Sequence, residues 1–170
     1  MWKASLSVKE SKPGKEKLKL VLKNLDQAVG QADFGDPATG DTSFDACIYS
    51  DVLVAELSVA RAGQLCGPKQ KPCWKAKGDK GYVYKDLDAS AAGIKKIAAI
   101  GGPERKGKLQ AQAGNNVKKA QTDLPTGITG SLQGATSATV QVLASDGLCF
   151  EAALATVKKA DGDQFKAKAP

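Results

Sequence analysis

An all-β fold, a duplicated antiparallel β-sandwich stabilised by disulfides, is predicted by three features of the sequence. Short stretches alternate apolar and polar residues with period two. Clusters of Gly, Pro, Asp and Ser separate those stretches. Several patterns of the first half return in the same order in the second. The 170 residues are 42% hydrophobic, enough apolar surface for one packed unit. No apolar run of about 18 residues occurs, so no membrane-crossing helix is expected.

Taken in order, Trp2, Ala4, Leu6 and Val8 alternate with Lys3, Ser5 and Ser7 as a half-buried strand. The first residues therefore read as strand and not as an export leader. Ser11-Lys12-Pro13-Gly14 is a turn. Leu18, Leu20 and Leu22 then face one way while Lys17, Lys19 and Lys23 face the other. Residues 26–42 carry Gly30, Gly35, Asp36-Pro37 and Gly40-Asp41, a long loop with a short edge strand expected near Phe34.

Phe44, Ala46 and Ile48 lead to a turn at Ser50-Asp51, and Leu53, Ala55, Leu57 and Val59 return as a hairpin. Residues 61–72 form a Gly/Pro/Lys loop. Trp74 and Ala76, then Tyr82 and Tyr84, mark two strands around a turn at Gly78-Asp79. The segment 89–96 is the one helix candidate, but Gly93 interrupts it and a strand or single turn is expected instead. Residues 94–100 read as strand up to Gly101-Gly102-Pro103. Leu109, Ala111 and Ala113 alternate with Lys108, Gln110 and Gln112. A polar loop fills 114–135. Ala138, Val140 and Val142 form a strand that turns at Ser145-Asp146-Gly147 and returns through Phe150, Ala152 and Leu154. Asp161-Gly162-Asp163 precedes a last strand with Phe165 and Ala167.

The repeat rests on three matches. Residues 17–24 match 108–115, the hairpin 44–57 matches 138–154, and residues 81–85 match 164–168. The chain is thus expected to be one unit, 1–170, built from two repeats of about 1–85 and 86–170. Each half alone would be an open sheet with one bare apolar face, so the two are expected to cover each other. Trp2-Lys3-Ala4-Ser5 also resembles Phe165-Lys166-Ala167-Lys168. That likeness suggests head-to-tail assembly through terminal strands, with Trp2, Ala4, Leu6, Phe165 and Ala167 at the contact, or a place in a tandem array.

Charge and composition exclude many functions. Lys and Arg number 25 against 18 Asp and Glu, a net charge of +7, and histidine is absent. Ser-His-Asp and Cys-His nucleophiles, His-ligated zinc and histidine switches are therefore excluded. Arg61 and Arg105 are the only arginines, and aromatics are 5% of the chain. Nucleic-acid readers use arginine forks and exposed aromatics, so no nucleic-acid partner is expected. The alternation spreads the lysines along the outward faces of many strands as a solubilising surface. Attraction to a polysaccharide or another anionic surface is the competing use.

Cys47, Cys66, Cys73 and Cys149 allow three pairings. Cys66–Cys73 and Cys47–Cys149 are expected, the second joining equivalent hairpins of the two halves. A four-cysteine zinc site and four free thiols are the alternatives. Disulfides imply a secreted or cell-surface location. Asp36, Asp41, Asp45, Asp86 and Asp88 suggest calcium, but solvated turns explain them better because no Asp-x-Asp-x-Asp-Gly run occurs. Gly101–Lys108 lacks the spacing of a phosphate loop. Glu56 and Glu151 lie on equivalent hairpins with no pocket that the sequence can place around them. No catalytic residue, cofactor or metal is assigned.

Several segments together resemble a known group. They are residues 44–51, Cys66-Gly67-Pro68-Lys69-Gln70-Lys71-Pro72-Cys73-Trp74-Lys75-Ala76, Lys80-Gly81-Tyr82-Val83-Tyr84-Lys85-Asp86, Ser145-Asp146-Gly147-Leu148-Cys149-Phe150-Glu151-Ala152 and Gln164-Phe165-Lys166-Ala167-Lys168. This pattern resembles a lysine-rich, cysteine-containing β repeat of extracellular proteins of environmental bacteria, often a domain within longer chains. The resemblance implies secretion and a non-catalytic structural or interaction role, and it transfers no functional residues. The alternative role is a binding module for carbohydrate or another anionic ligand, using the loops 26–42 and 114–135 with Phe34 as their aromatic.

Overall fold

The computed structural model describes residues 2–170 and contains fourteen strands. They are β1 (Lys3–Lys9), β2 (Lys17–Lys23), β3 (Phe44–Tyr49), β4 (Leu53–Val59), β5 (Leu65–Cys66), β6 (Lys71–Pro72) and β7 (Trp74–Ala76). The second set is β8 (Gly81–Lys85), β9 (Ile94–Ile100), β10 (Lys108–Gly114), β11 (Ala138–Ala144), β12 (Cys149–Leu154), β13 (Thr156–Ala160) and β14 (Gln164–Lys168). All pairings are antiparallel. Eight strands form one sheet in the order β13-β14-β1-β2-β10-β9-β8-β7, four form a second in the order β12-β11-β3-β4, and β5-β6 is a small ribbon.

Alternation decides which side of each strand is buried. In β1 the buried residues are Ala4, Leu6 and Val8, and in β2 they include Leu18, Leu20 and Leu22. The smaller sheet turns Phe44, Ile48, Leu57, Val140 and Leu154 to the inside. Both apolar sides belong to one continuous core cluster. An aromatic contact ties the sheets together: Trp74 of β7 packs against Phe44 of β3 at 4.9 Å, and within the large sheet it also packs against Tyr84 of β8 at 5.2 Å. Offset and tilted pairs of this kind each contribute about 0.5–1.5 kcal/mol beyond simple burial.

Neither sheet belongs to one half of the chain, which corrects the expectation that two separate half-sheets face each other. Strands from before and after residue 85 interleave in the large sheet and lie side by side as two hairpins in the small one. The order is palindromic in a definite sense. At the centre of the large sheet β2 lies on β10, with Leu20 directly opposite Ala111. Outward from there, Leu6 lies opposite Leu20 on one side and Ile97 opposite Ala111 on the other. One step further, Ala167 faces Leu6 and Tyr84 faces Ile97. In the small sheet the hairpins β3-β4 and β11-β12 meet through β3 and β11.

The terminal strands differ from expectation. β14 lies between β13 and β1, and β1 between β14 and β2. Ala4, Leu6, Phe165 and Ala167 are buried in the chain's own core, and Trp2 is half-buried against it. Both hydrogen-bonding edges of each terminal strand are already used, so a neighbour's strand finds no free edge there. The exposed edges of the large sheet are β13 and β7. β13 itself was not legible in the sequence, because Thr156-Val157-Lys158-Lys159-Ala160 has a register irregularity between Val157 and Lys159 that breaks the alternation.

Two loops also depart from expectation. Near Phe34 the chain makes a 3-10 turn, Gln31–Phe34, and no edge strand. The 114–135 loop contains a 3-10 turn, Val117–Lys119, and a single helical turn, α1 (Ile128–Ser131). Residues 89–93 do not form a helix; they are a turn leading into β9.

Because β1 lies inside the eight-stranded sheet, removing residues 1–8 is expected to unfold the chain and not merely to block self-association. Circular dichroism of the truncated protein checks this; a native strand signal with a cooperative melt would contradict it.

Candidate functional site

The outward positions of the eight-stranded sheet carry a single kind of charge. Its strands contain fourteen of the 23 lysines and no Asp or Glu. The four-stranded sheet has the opposite composition, with Asp45, Glu56 and Glu151 and no Lys or Arg. Fourteen lysines are therefore gathered on one sheet, although the sequence alone showed them scattered over many strands.

Register brings them close. Lys3 lies opposite Lys23, and Lys23 lies opposite Lys108, a row of three ammonium groups across adjacent strands. Lys9 faces Lys17, Lys85 faces Lys96, and Lys159 faces Lys166. Strands are about 4.8 Å apart and same-face residues along a strand about 6.7 Å. Directly opposed like charges destabilise a sheet by up to about 1 kcal/mol each, less where water and salt screen them. Lys108 records the crowding: burial, then the charges of Lys23, Lys96 and Lys19, hold its pKa below the usual lysine range. Among the described residues, the ion pairs are Arg105–Glu104 and Lys159–Asp161, so the central lysines are not neutralised from within the chain.

The face is not flat. One open groove of about 490 Å³ runs between Lys3, Ser5, Lys19, Lys23 and Lys168. A second, of about 530 Å³, lies between Lys9, Lys17, Lys95, Gln112 and Lys166. Ser5, Ser7 and Gln112 add neutral hydrogen-bonding groups on the floor. Lysine presents compact point charges with no fixed fork, which suits a ligand with repeated diffuse negative charge.

Cys66 and Cys73 form a disulfide with Cα atoms 4.9 Å apart. The bond closes the β5-β6 ribbon, and restricting so short a loop in the unfolded chain contributes about 2.5 kcal/mol. Cys47 and Cys149 carry free thiols, which corrects the second expected bond. Cys47 is on β3 and Cys149 on β12, with β11 between them. Strands two places apart are about 9.5 Å from each other, beyond the reach of a disulfide. The hairpins correspond, but the cysteines occupy non-corresponding strands of them.

Both thiols lie on the acidic side. Cys47 is directly opposite Glu56 and Gln141, and Gln141 donates its Nε2–H to Glu151. Burial first, then Glu56, raises the Cys47 pKa; burial, then Glu151, raises that of Cys149. Nucleophilic activation requires the opposite shift.

The aspartates are occupied locally. Asp36 accepts from the backbone N–H of Ala38 and Thr39 and from the Thr39 hydroxyl. Asp86 is fully buried and accepts from the Asp88 and Ser90 backbone, the Ser90 hydroxyl and Tyr84 Oη. Among the described residues no three acidic or cysteine side chains converge on a metal-sized position. Phe34, the aromatic expected to serve a loop site, is fully buried and packs on Phe150 at 5.9 Å. Comparison with family models, curated proteins and solved structures gave no match.

Two outcomes follow from these environments. Native protein treated with a maleimide should gain one adduct, on exposed Cys149, with a rate that still climbs as pH passes the usual thiol range; Cys47 should react only after denaturation. Mass spectrometry reads both, and a double adduct without denaturant would contradict the placement of Cys47. Burial raises the pKa of Asp86, but its hydrogen bonds outweigh that and lower it overall. Its stabilisation is therefore complete above the unfolded carboxylate range and is lost as pH falls through the lower folded value. Asp86→Ala should cost about 2–3 kcal/mol at neutral pH, read as a fall in Tm that narrows in acid.

Proposed function

We propose that this chain is a non-catalytic interaction module of secreted or cell-surface proteins, and that its lysine face holds an acidic surface polymer such as an anionic polysaccharide. The observation that carries the reading is the eight-stranded sheet with fourteen lysines and no carboxylate. A merely solubilising surface mixes both signs. Here like charges are stacked in register at a cost to the fold, and an external polyanion offsets that cost. The disulfide is compatible with an extracellular place. Among the described residues no helix is long and apolar enough to cross a membrane.

The binding surface in this reading is a sheet face and not the loops 26–42 and 114–135. Phe34 is buried, and Asp36 and Asp33 spend their oxygens on the loop's own backbone. Service as one unit of a tandem array fits the same face, since repeated lysine sheets multiply weak contacts. The terminal strands take no part in this reading, because β1 and β14 each have both edges occupied.

We also propose that the unit arose by duplication. The sequence match pairs Leu20 with Ala111, and these two residues oppose each other at the centre of the large sheet. The matched segments 81–85 and 164–168 pair with β9 and β1 in the same register. An approximate twofold axis between β2 and β10 accounts for both facts.

The test is chromatography on sulfated, carboxylated and neutral polysaccharide resins. Retention on both acidic resins at low salt, release by salt and passage through the neutral resin are expected. The triple variant K19Q/K23Q/K108Q should elute at clearly lower salt with a melt equal to or above that of the parent chain, because the opposed charges of Lys23 and Lys108 are removed. Passage through the acidic resins at low salt, equal retention on the neutral resin, or stronger retention on nucleic acid would overturn the reading.

A further inference from the structure

The disulfide-closed ribbon builds a feature that the fold does not need. In the first half, β4 is joined to β7 through residues 60–73, which contain β5, β6 and the Cys66–Cys73 bond. In the second half the corresponding connection, β12 to β13, is Ala155 alone. The same two-sheet crossing is thus made by one residue in one place and by fourteen in the other.

Those extra residues wall a cavity of about 350 Å³ against the outer surface of β8. Its apolar walls are Pro68, Pro72, Val83 and Leu87, together with the disulfide. Four ammonium groups, from Lys69, Lys71, Lys75 and Lys85, stand around it, and no Asp or Glu lines it. The neighbouring carboxylate, Asp86, is fully buried and bound to Ser90 and Tyr84, so its charge is directed into the fold.

Leu87 is 57% exposed, yet it is held in place. Asp86 N–H donates to the Lys95 carbonyl at 3.0 Å, Asp88 N–H to Asp86 Oδ1 at 2.9 Å, and Gln121 Nε2 to the Leu87 carbonyl at 2.8 Å. On the opposite wall Gln70 donates both its backbone N–H and its Nε2–H to the Gly67 carbonyl. The disulfide then fixes the ribbon to β7, where Lys85 N–H donates to the Cys73 carbonyl at 2.8 Å. The cavity is preformed, with an apolar floor and a rim of one sign, as small-ligand sites are built.

We propose that this cavity binds an amphiphilic anion, a small molecule with an apolar body and a sulfate, phosphate or carboxylate head. The apolar body lies against Leu87, Val83 and the prolines, and the head lies among Lys75, Lys85 and the ribbon lysines. This site goes beyond the polymer-binding reading: it shares only Lys75, Val83 and Lys85 with the lysine sheet, its prolines, Leu87 and ribbon lysines lie outside that sheet, and its ligand is of different size, so either can fail alone.

The experiment is titration calorimetry of the full oxidised chain with octyl sulfate below its micelle concentration, and in parallel with octyl glucoside and inorganic sulfate. Saturable one-to-one binding of octyl sulfate is expected, at least tenfold tighter than either control. Leu87→Ser, and separately the pair K75Q/K85Q, should each weaken it at least tenfold with unchanged melts. K19Q/K23Q/K108Q should leave it unchanged while eluting from the acidic polysaccharide resins at lower salt. Equal binding of octyl glucoside or of sulfate, full affinity in Leu87→Ser, or the absence of saturable binding would overturn the proposal.

Discussion

The register of β2 on β10 is the constraint on which the rest depends. These strands are far apart in sequence, yet they form the middle of the large sheet, with Leu20 opposite Ala111. Side chains alternate with period two, so a slip of one residue in either strand would turn Leu18, Leu20 and Leu22 to water and Lys17, Lys19 and Lys23 to the core. Burying lysines without partners costs far more than any sheet contact returns. The hydrophobic pattern therefore forbids any slip by an odd number of residues, and the register that forms sets β1 and β14 on one side and β9 and β8 on the other.

Charge segregation follows from this arrangement. Once the leucine side of β2 is inside, its lysines must lie outside, beside those of β1, β10 and β14. The smaller sheet obeys the same rule with other residues, so Asp45, Glu56 and Glu151 reach the opposite surface. The outcome is a plate with a cationic side and a weakly anionic side. Burial is the first cause of the depressed pKa of Lys108 and of the raised pKa values of Cys47 and Cys149, and the neighbouring charge of each side adds to it in the same direction.

Departures from the symmetric plan mark where the chain carries more than its fold requires. Ala111 stands where its counterpart is Leu20, and Ala167 where its counterpart is Tyr84, whose ring packs on Trp74. The disulfide ribbon has no packing reason. It encloses no core of its own beyond its cysteines, it leaves Leu65, Pro72 and Leu87 exposed, and the corresponding connection omits it.

The sequence by itself determined the all-β class, the inward and outward sides of most strands, the Cys66–Cys73 bridge and the matches between the halves, because each depends on residues close in the chain. Strict alternation made β1, β2, β10 and β11 legible; the irregular β13, the single turn α1 and the 3-10 turn at Phe34 carried no periodic signal. Only the tertiary structure decided which strands are neighbours. It placed β11 between Cys47 and Cys149 and so left both thiols free, and it enclosed the terminal strands that sequence likeness had assigned to assembly. The lysine face was present in the sequence as an absence of acids from eight strands, but that absence has meaning only when those strands form one sheet. Leu87 gave no signal at all, since an exposed leucine becomes part of a site only when a ribbon twenty residues away in the chain closes a wall opposite it. Local alternation is written in the chain, whereas adjacency is set by the one register that buries every apolar face at once.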